Sequence, residues 1–214
     1  MKAEVFQEII RQLEGLRFDG RLTYHFYNEP LLNPELEKLV SYASRRLPQA
    51  RHVIYTNGDL LTAQRLASLV AAGVTSFVVT DHGGRALTEP VRRAARMPWP
   101  FRSHIRFRRF TSASALFNRG GLIAVANERR HSYCAYPAYE LVIDVEGNVV
   151  LCCNDYYGTH TFGNIMAAPL LDIWDSPRMS LVRRRLLAGQ FDLAICRACV
   201  GIGQPHSSQI TMVD

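Results

Sequence analysis

Cys134, Cys152, Cys196 and Cys199 are the residues of this sequence whose type and spacing point most directly to chemistry. Seventeen residues separate the first two, forty-three the next two, the last two close a C-x-x-C, and no cysteine precedes residue 134. Four thiolates are what a fully ligated cubane or rhombic iron–sulfur cluster requires. Four cysteines also satisfy a structural zinc ion, although such sites usually use two C-x-x-C knuckles. Spacing alone leaves both metals open. With every iron held by a thiolate, the centre would carry electrons or hold structure and would not bind substrate.

The elements that must position these residues fall into two parts. Residues 3–109 alternate helical and strand patterns over short connections, which is the mark of a parallel β/α architecture. Val5, Phe6, Ile9, Ile10, Leu13 and Leu16 repeat at helical spacing. Strands are expected at 22–27, 52–55, 76–80 and 103–110. A helix starting at Pro34 is expected with Asn33 as its cap and Leu36, Leu39, Val40 and Ala43 as its buried stripe. Another, near 62–72, stops at Gly73, a residue suited to a left-handed cap, and a short one covers 89–96. On 103–110, His104, Arg106 and Arg108 alternate against Ile105 and Phe107, giving one cationic and one apolar face.

Periodicity weakens from Thr111 to His131, and Asn118-Arg119-Gly120-Gly121 reads as a turn or linker. Beyond it, 139–144 and 148–153 read as a hairpin around Val145-Glu146-Gly147, and 170–187 as helix interrupted at Ser176-Pro177. The expected organisation is 1–117, a linker over 118–133, and a cysteine-bearing unit over 134–214.

Of the 25 basic residues only Lys2 and Lys38 are lysines, and the net charge is +6. Arg92, Arg93, Arg96, Arg102, Arg106, Arg108 and Arg109 form one group and Arg183, Arg184 and Arg185 another. No nucleic-acid-binding motif accompanies them, so they read as solvated helix faces or as partners of a small anion. The apolar stretch 66–74 is far short of the roughly 20 residues that span a bilayer. Glu4 and Glu8 stand where a signal peptide would be apolar. A cytoplasmic location is expected, where clustered thiols bind metals in preference to forming disulfides.

The text Cys134, twelve residues, Gly147, four residues, Cys152 resembles the opening of the SPASM motif. Phe162-Gly163-Asn164-Ile165 and Asp172-Ile173-Trp174 are similar to the segment downstream of that opening in the family. The chain thus resembles radical S-adenosylmethionine enzymes with a C-terminal SPASM or twitch auxiliary domain. With no cysteine after Cys199, it is nearest in spacing to the one-cluster aminocyclitol dehydrogenase type. Upstream, Tyr27-Asn28-Glu29-Pro30-Leu31-Leu32 stands where the family has its glycine-glutamate-proline motif, and Thr56-Asn57-Gly58 is similar to the motif after the family's third strand.

The resemblance implies a partial parallel (β/α) TIM-type barrel missing its first strand, followed by a small cysteine-ligated domain. It implies one auxiliary [4Fe–4S] cluster on Cys134, Cys152, Cys196 and Cys199. It also implies S-adenosylmethionine contacts from Asn28, Glu29, Pro30, Thr56, Asn57 and Gly58. Its register assigns Cys152 as ligand, leaving Cys153 as a buried apolar filler on the opposite strand face. Asp155 and Tyr156 read as a polar turn, and His104, His131, His160 and His206 as structural.

An external reductant of the flavodoxin or ferredoxin kind and a small polar metabolite or peptide substrate are implied as partners, and neither nucleic acid nor a membrane is expected. The family's C-x-x-x-C-x-x-C loop is absent from these residues, so the 214-residue chain is expected to be inactive in radical formation. Two readings stay open: a shortened oxidoreductase that abstracts hydrogen from its substrate, or a non-catalytic member whose cluster is structural, electron-transferring or partner-binding.

Overall fold

A computed structural model describes residues 1–82, 87–109, 118–123 and 131–202. Phe110, the 124–130 part of the expected linker, and 203–214 with His206 lie outside the described residues.

The first part runs α1 (Ala3–Gly15), β1 (Arg21–Thr23), α2 (Leu36–Arg46), β2 (Arg51–Thr56), α3 (Ala63–Ala72), β3 (Ser76–Asp81), α4 (Glu89–Ala95) and β4 (Ile105–Arg109). The strands pair in parallel in the order β1-β2-β3-β4. Sequential order builds the curved wall of a barrel, whereas a doubly wound sheet reverses direction at a switch point. Ile54, Phe77, Val79 and Ile105 from the strands pack against Leu36, Val40, Leu66, Leu69, Val91 and Ala94 from α2, α3 and α4. Gly73 ends α3 at φ +115, as its cap position demands.

Three expected boundaries move, each for a local reason. The first strand ends at Thr23, not Tyr27, because Tyr27 takes φ +62 and Asn28 Oδ1 accepts from the Phe26 N–H, turning the chain off the ladder. The second helix begins at Leu36, not Pro34. Pro30–Leu32 form a 3-10 turn, and Asn33 Oδ1 accepts from the Glu35 N–H in a turn ahead of the helix. The fourth strand begins at Ile105 because Phe101–His104 form a 3-10 turn. In it only Ile105 is buried, and the Arg102 guanidinium covers Phe107 at 4.7 Å from the ring centre.

The second part comprises α5 (Tyr136–Tyr139), β5 (Val142–Ile143), β6 (Asn148–Val150), β7 (Thr161–Asn164), α6 (Leu170–Trp174), α7 (Pro177–Leu187) and α8 (Ala194–Cys199). Its sheet is antiparallel in the order β5-β6-β7. The third strand is too short and too glycine-interrupted to show alternation in the sequence. The break at Ser176-Pro177 divides α6 from α7, with the Ser176 hydroxyl accepting from the Met179 N–H as a cap.

Helix α1 joins the two parts. Its stripe of Val5, Ile9, Ile10 and Leu13 is shared between Ala43 of α2, Leu47 just beyond that helix, and Val149, Ile165, Ile173 and Met179 of the second part. Gln12 fastens the seam: Nε2 donates to Ile165 O at 2.9 Å, and Oε1 accepts from the Leu170 N–H at 2.5 Å. Among the described residues no helix is long and apolar enough to cross a membrane.

Gln12→Ala strands both backbone groups at a partly buried seam. The expected loss is about 1–2 kcal/mol of unfolding free energy, read from urea denaturation, with local proteolytic nicking between the two parts rising in parallel.

His52 is 2% exposed, with Nε2 facing Leu47 O and Nδ1 facing the Tyr24 hydroxyl at 2.7 Å. A carbonyl only accepts, so Nε2 carries the proton and Nδ1 accepts from Tyr24. Burial holds the His52 pKa below the ordinary value. The unfolded chain therefore binds the proton more readily, and this contribution to stability is whole above about pH 6.5 and is lost as pH falls below it. Urea midpoints measured at pH 7.5 and 5.5 should fall less in His52→Gln than in the parent.

Candidate functional site

Four elements bring the cysteines together. Cys134 precedes α5, and its N–H donates to Leu186 O near the end of α7. Cys152 stands in the turn after β6, and Cys196 and Cys199 sit one helical turn apart on α8. All four line a cavity of about 510 Å³ whose apolar wall includes Leu151, Leu186, Phe191 and Val200. Gly189 permits the close approach of the Cys134 segment, since at φ +75 a Cβ there would lie 2.3 Å from Ser132 O.

Cys153 does not line that cavity, but neither is it a buried filler on a strand. Strand β6 ends at Val150, so Cys153 lies in the following turn, half-buried, and its carbonyl accepts from the Tyr27 hydroxyl at 2.5 Å. Asp155 is buried and closes the same turn by accepting from Thr159 N, Thr159 Oγ1 and His160 N.

Burial raises the pKa of all four lining thiols, that of Cys196 to about 12. Negative charge on Cys134 and Cys199 would raise Cys196 further. A site of this kind resists ionisation until a metal centre compensates the thiolates. Opposing the burial are N–H groups aimed at sulfur: Tyr136 at Cys134, Asn154 at Cys152 and Gly120 at Cys199.

The Gly120 donor comes from a run of positive φ values at Arg119, Gly120 and Gly121. A Cβ on Gly120 would lie 2.5 Å from Ile195 Cγ1. Asn118 is 6% exposed and donates through Nδ2 to Ala198 O on α8. Residues that read as a linker in sequence thus form one side of the cysteine site.

Glu29 and the Thr56-Asn57-Gly58 turn meet at the C-terminal ends of β1 and β2. Glu29 Oε2 accepts from Asn57 N at 2.9 Å and Oε1 from Leu31 N at 3.0 Å, so the carboxylate is oriented by two backbone donors. Thr56 Oγ1 accepts from Gly58 N, and Gly58 takes φ +84 beside Val79 and Pro90. Arg93 pins the turn by donating to Gly58 O and Asp59 O, both at 2.8 Å. Asn28 serves its own turn and Pro30 is buried in the 3-10 turn.

Tyr27 connects this cleft to the cysteine site. Its hydroxyl reaches Cys153 O, the Arg119 guanidinium lies 4.7 Å from its ring centre, and Tyr156 packs edge-on at 4.6 Å. Burial raises the Tyr27 pKa, and the neighbouring Arg119 lowers it. Arg119, Gly120 and Asn154 are the site residues that motif reading passed over. Asn118-Arg119-Gly120-Gly121 carries a signal only in hindsight, since a glycine pair marks any turn.

Residues 134–200 match the SPASM family, an iron–sulfur cluster-binding domain. The whole chain is 32% identical to the S-adenosyl-L-methionine-dependent 2-deoxy-scyllo-inosamine dehydrogenase of Niallia circulans, covering 86% of that protein. Among solved structures, BtrN in complex with AdoMet and 2-DOIA superposes with a TM-score of 0.84 at 31% identity, over 92% of this chain and 79% of that one. Selenomethionine BtrN in an open conformation gives 0.73 at 28% identity, over 93% and 79%. All four cysteines thus fall within a domain whose family binds iron–sulfur clusters.

After anaerobic reconstitution, Ala at Cys134, Cys152, Cys196 or Cys199 should abolish stable iron and sulfide retention, whereas Cys153→Ala retains both. Gly189→Ala, which drives a methyl into a backbone carbonyl, should lower retention although it removes no ligand. Iron and sulfide per chain after gel filtration check all six.

Proposed function

The chain belongs to the radical S-adenosylmethionine family with a SPASM domain that includes the 2-deoxy-scyllo-inosamine dehydrogenase, and on that premise we propose that it is the substrate-oxidising part of a dehydrogenase for a small polyhydroxylated or aminocyclitol substrate. The observation that carries this reading is Tyr27: one side chain adjoins the Glu29 cleft, the Arg119 guanidinium and the turn holding Cys152. A substrate at that junction lies between the cofactor cleft and the metal centre.

In the proposed reaction a secondary alcohol becomes a ketone. S-adenosylmethionine, held by Glu29, Asn57 and Gly58, would supply hydrogen-atom abstraction at the carbon, the hydroxyl would lose its proton to water, and a centre on the four cysteines would take the remaining electron. A bound [4Fe–4S] cluster supplies a one-electron acceptor there. Cys134, Cys152, Cys196 and Cys199 all line one cavity, although among the described residues no three His, Cys, Asp or Glu side chains are close enough to hold a metal ion. Glu29, oriented by Asn57 and Leu31, would receive the ammonium of S-adenosylmethionine. Asn57 and Gly58 would border that cofactor, with Arg93 keeping their turn in place. Arg119 is the cation at the junction and would hold the substrate oxygen as negative charge develops on it. A flavodoxin- or ferredoxin-type reductant would start the cycle.

One observation favours a non-catalytic role for these residues by themselves. Four of the five cysteines share one cavity, and Cys153 alone cannot make the three-thiolate site that opens S-adenosylmethionine. With its cluster loaded and a strong reductant supplied, the 214-residue chain should make no 5′-deoxyadenosine. Joined to a segment bearing C-x-x-x-C-x-x-C, it should oxidise 2-deoxy-scyllo-inosamine to the ketone, detected by mass spectrometry. Arg119→Met in that protein should cost at least about tenfold in turnover, the equivalent of one charge-assisted hydrogen bond of about 1.5 kcal/mol, with iron content unchanged. Multiple turnovers by the 214-residue chain alone would show that one of the four cysteines serves radical chemistry instead.

A further inference from the structure

Asn154 touches two of the four thiols at once. Its backbone N–H faces Cys152 Sγ at 3.4 Å, and its side-chain Nδ2 faces Cys199 Sγ at 3.5 Å. The residue is 7% exposed. The amide must present nitrogen to the sulfur, because an oxygen there would set two acceptors against each other. The other N–H groups on these thiols, from Tyr136 and Gly120, are backbone donors that most side-chain substitutions would leave in place. The Asn154 amide is a donor whose presence depends on residue type.

We propose that Asn154 tunes the auxiliary iron–sulfur centre, its side-chain amide raising the reduction potential by hydrogen-bonding the Cys199 thiolate while the same residue ties the β6 turn to α8. The inference rests on the four-cysteine ligand set. Reduction adds one negative charge to the cluster. A fixed N–H dipole pointing at a ligand sulfur stabilises that charge more than the oxidised form, which moves the potential upward. Burial strengthens the effect by lowering the local dielectric. In the dehydrogenase reading, the higher potential makes the centre a better acceptor for the electron that leaves the substrate, so the ketone and the reduced cluster form together.

The second role comes from topology. Cys152 and Cys199 are far apart in sequence and on different elements, and Asn154 is bonded to both. Asn154 therefore helps hold the distance between two ligands before the metal arrives. It is a positioning residue that acts through the thiolates.

The test is an EPR-monitored redox titration of the reconstituted chain, preceded by iron and sulfide analysis. A parent without a cluster would count against the cysteine assignment and not against Asn154. With the cluster loaded, Asn154→Ala should shift the midpoint potential to more negative values at unchanged iron content. Asn154→Asp, which exchanges the donor for a carboxylate, should shift it further the same way, and Asn154→Gln should recover part of the loss. Equal potentials in parent, Ala and Asp proteins would overturn the proposal.

If the variants fail to hold a cluster, the parent protein still decides. Grown with asparagine labelled with 15N only in the side chain, its reduced cluster should show a nitrogen coupling in pulsed EPR. Absence of that coupling would overturn the inference without any substitution.

Discussion

Four thiols turned inward on one cavity repel one another as soon as they ionise, and burial makes each ionisation harder still. The arrangement around Cys134, Cys152, Cys196 and Cys199 answers that constraint in two ways. An apolar wall of Leu151, Leu186, Phe191 and Val200 packs the protonated site, so the pocket has contacts of its own to hold it. Backbone N–H groups from Tyr136, Asn154 and Gly120 then meet the charge that develops on metal binding. Energy released by thiolate coordination adds to folding energy, so the second part of the chain is coupled to its metal centre through the same contacts that shape the cavity.

The two parts are joined at two levels. Far from the site, α1 shares its apolar stripe with α2 and with the antiparallel sheet, and Gln12 bonds Ile165 and Leu170. At the site, Tyr27 leaves β1 in a left-handed conformation and delivers its hydroxyl to the Cys153 carbonyl. Glu29, two residues on, is braced by Asn57. A shift of the Cys152–Cys153 turn would thus be felt at Tyr27 before it reached the Glu29 cleft.

The arginines divide by position. Arg92 pairs with Glu89 one turn away on an exposed helix face, where an ion pair contributes little. Arg93 lies on the same helix as Arg92 but points to the carbonyls of Gly58 and Asp59 and organises a turn of the cofactor cleft. Arg119 lies over Tyr27 at the junction between the two parts. One residue type in neighbouring runs of sequence therefore serves solvation, turn geometry and proposed substrate contact.

The amino-acid sequence by itself determined the helices and strands of the first part, because their apolar periodicity is strong and burial follows it, as at Val5, Ile9, Ile10 and Leu13. It also carried the four-cysteine pattern, since metal-ligand chemistry demands cysteine at fixed spacing, and the Glu29 and Thr56–Gly58 turns, whose residue types are tied to their hydrogen bonds. Only the tertiary structure decided the rest. The end of β1 at Thr23 depends on the Tyr27 conformation, and β7 exists because Thr161–Asn164 finds β6 to pair with. Gly120 and Asn154 enter the site through donors whose sulfur partner Cys199 is remote in sequence, Arg119 enters by lying over the Tyr27 ring, and Cys153 faces the cleft through its backbone carbonyl. Contacts made by backbone groups, or across such separations, leave no periodic trace in a sequence: their energy depends on where the chain returns in space, and folding settles that globally.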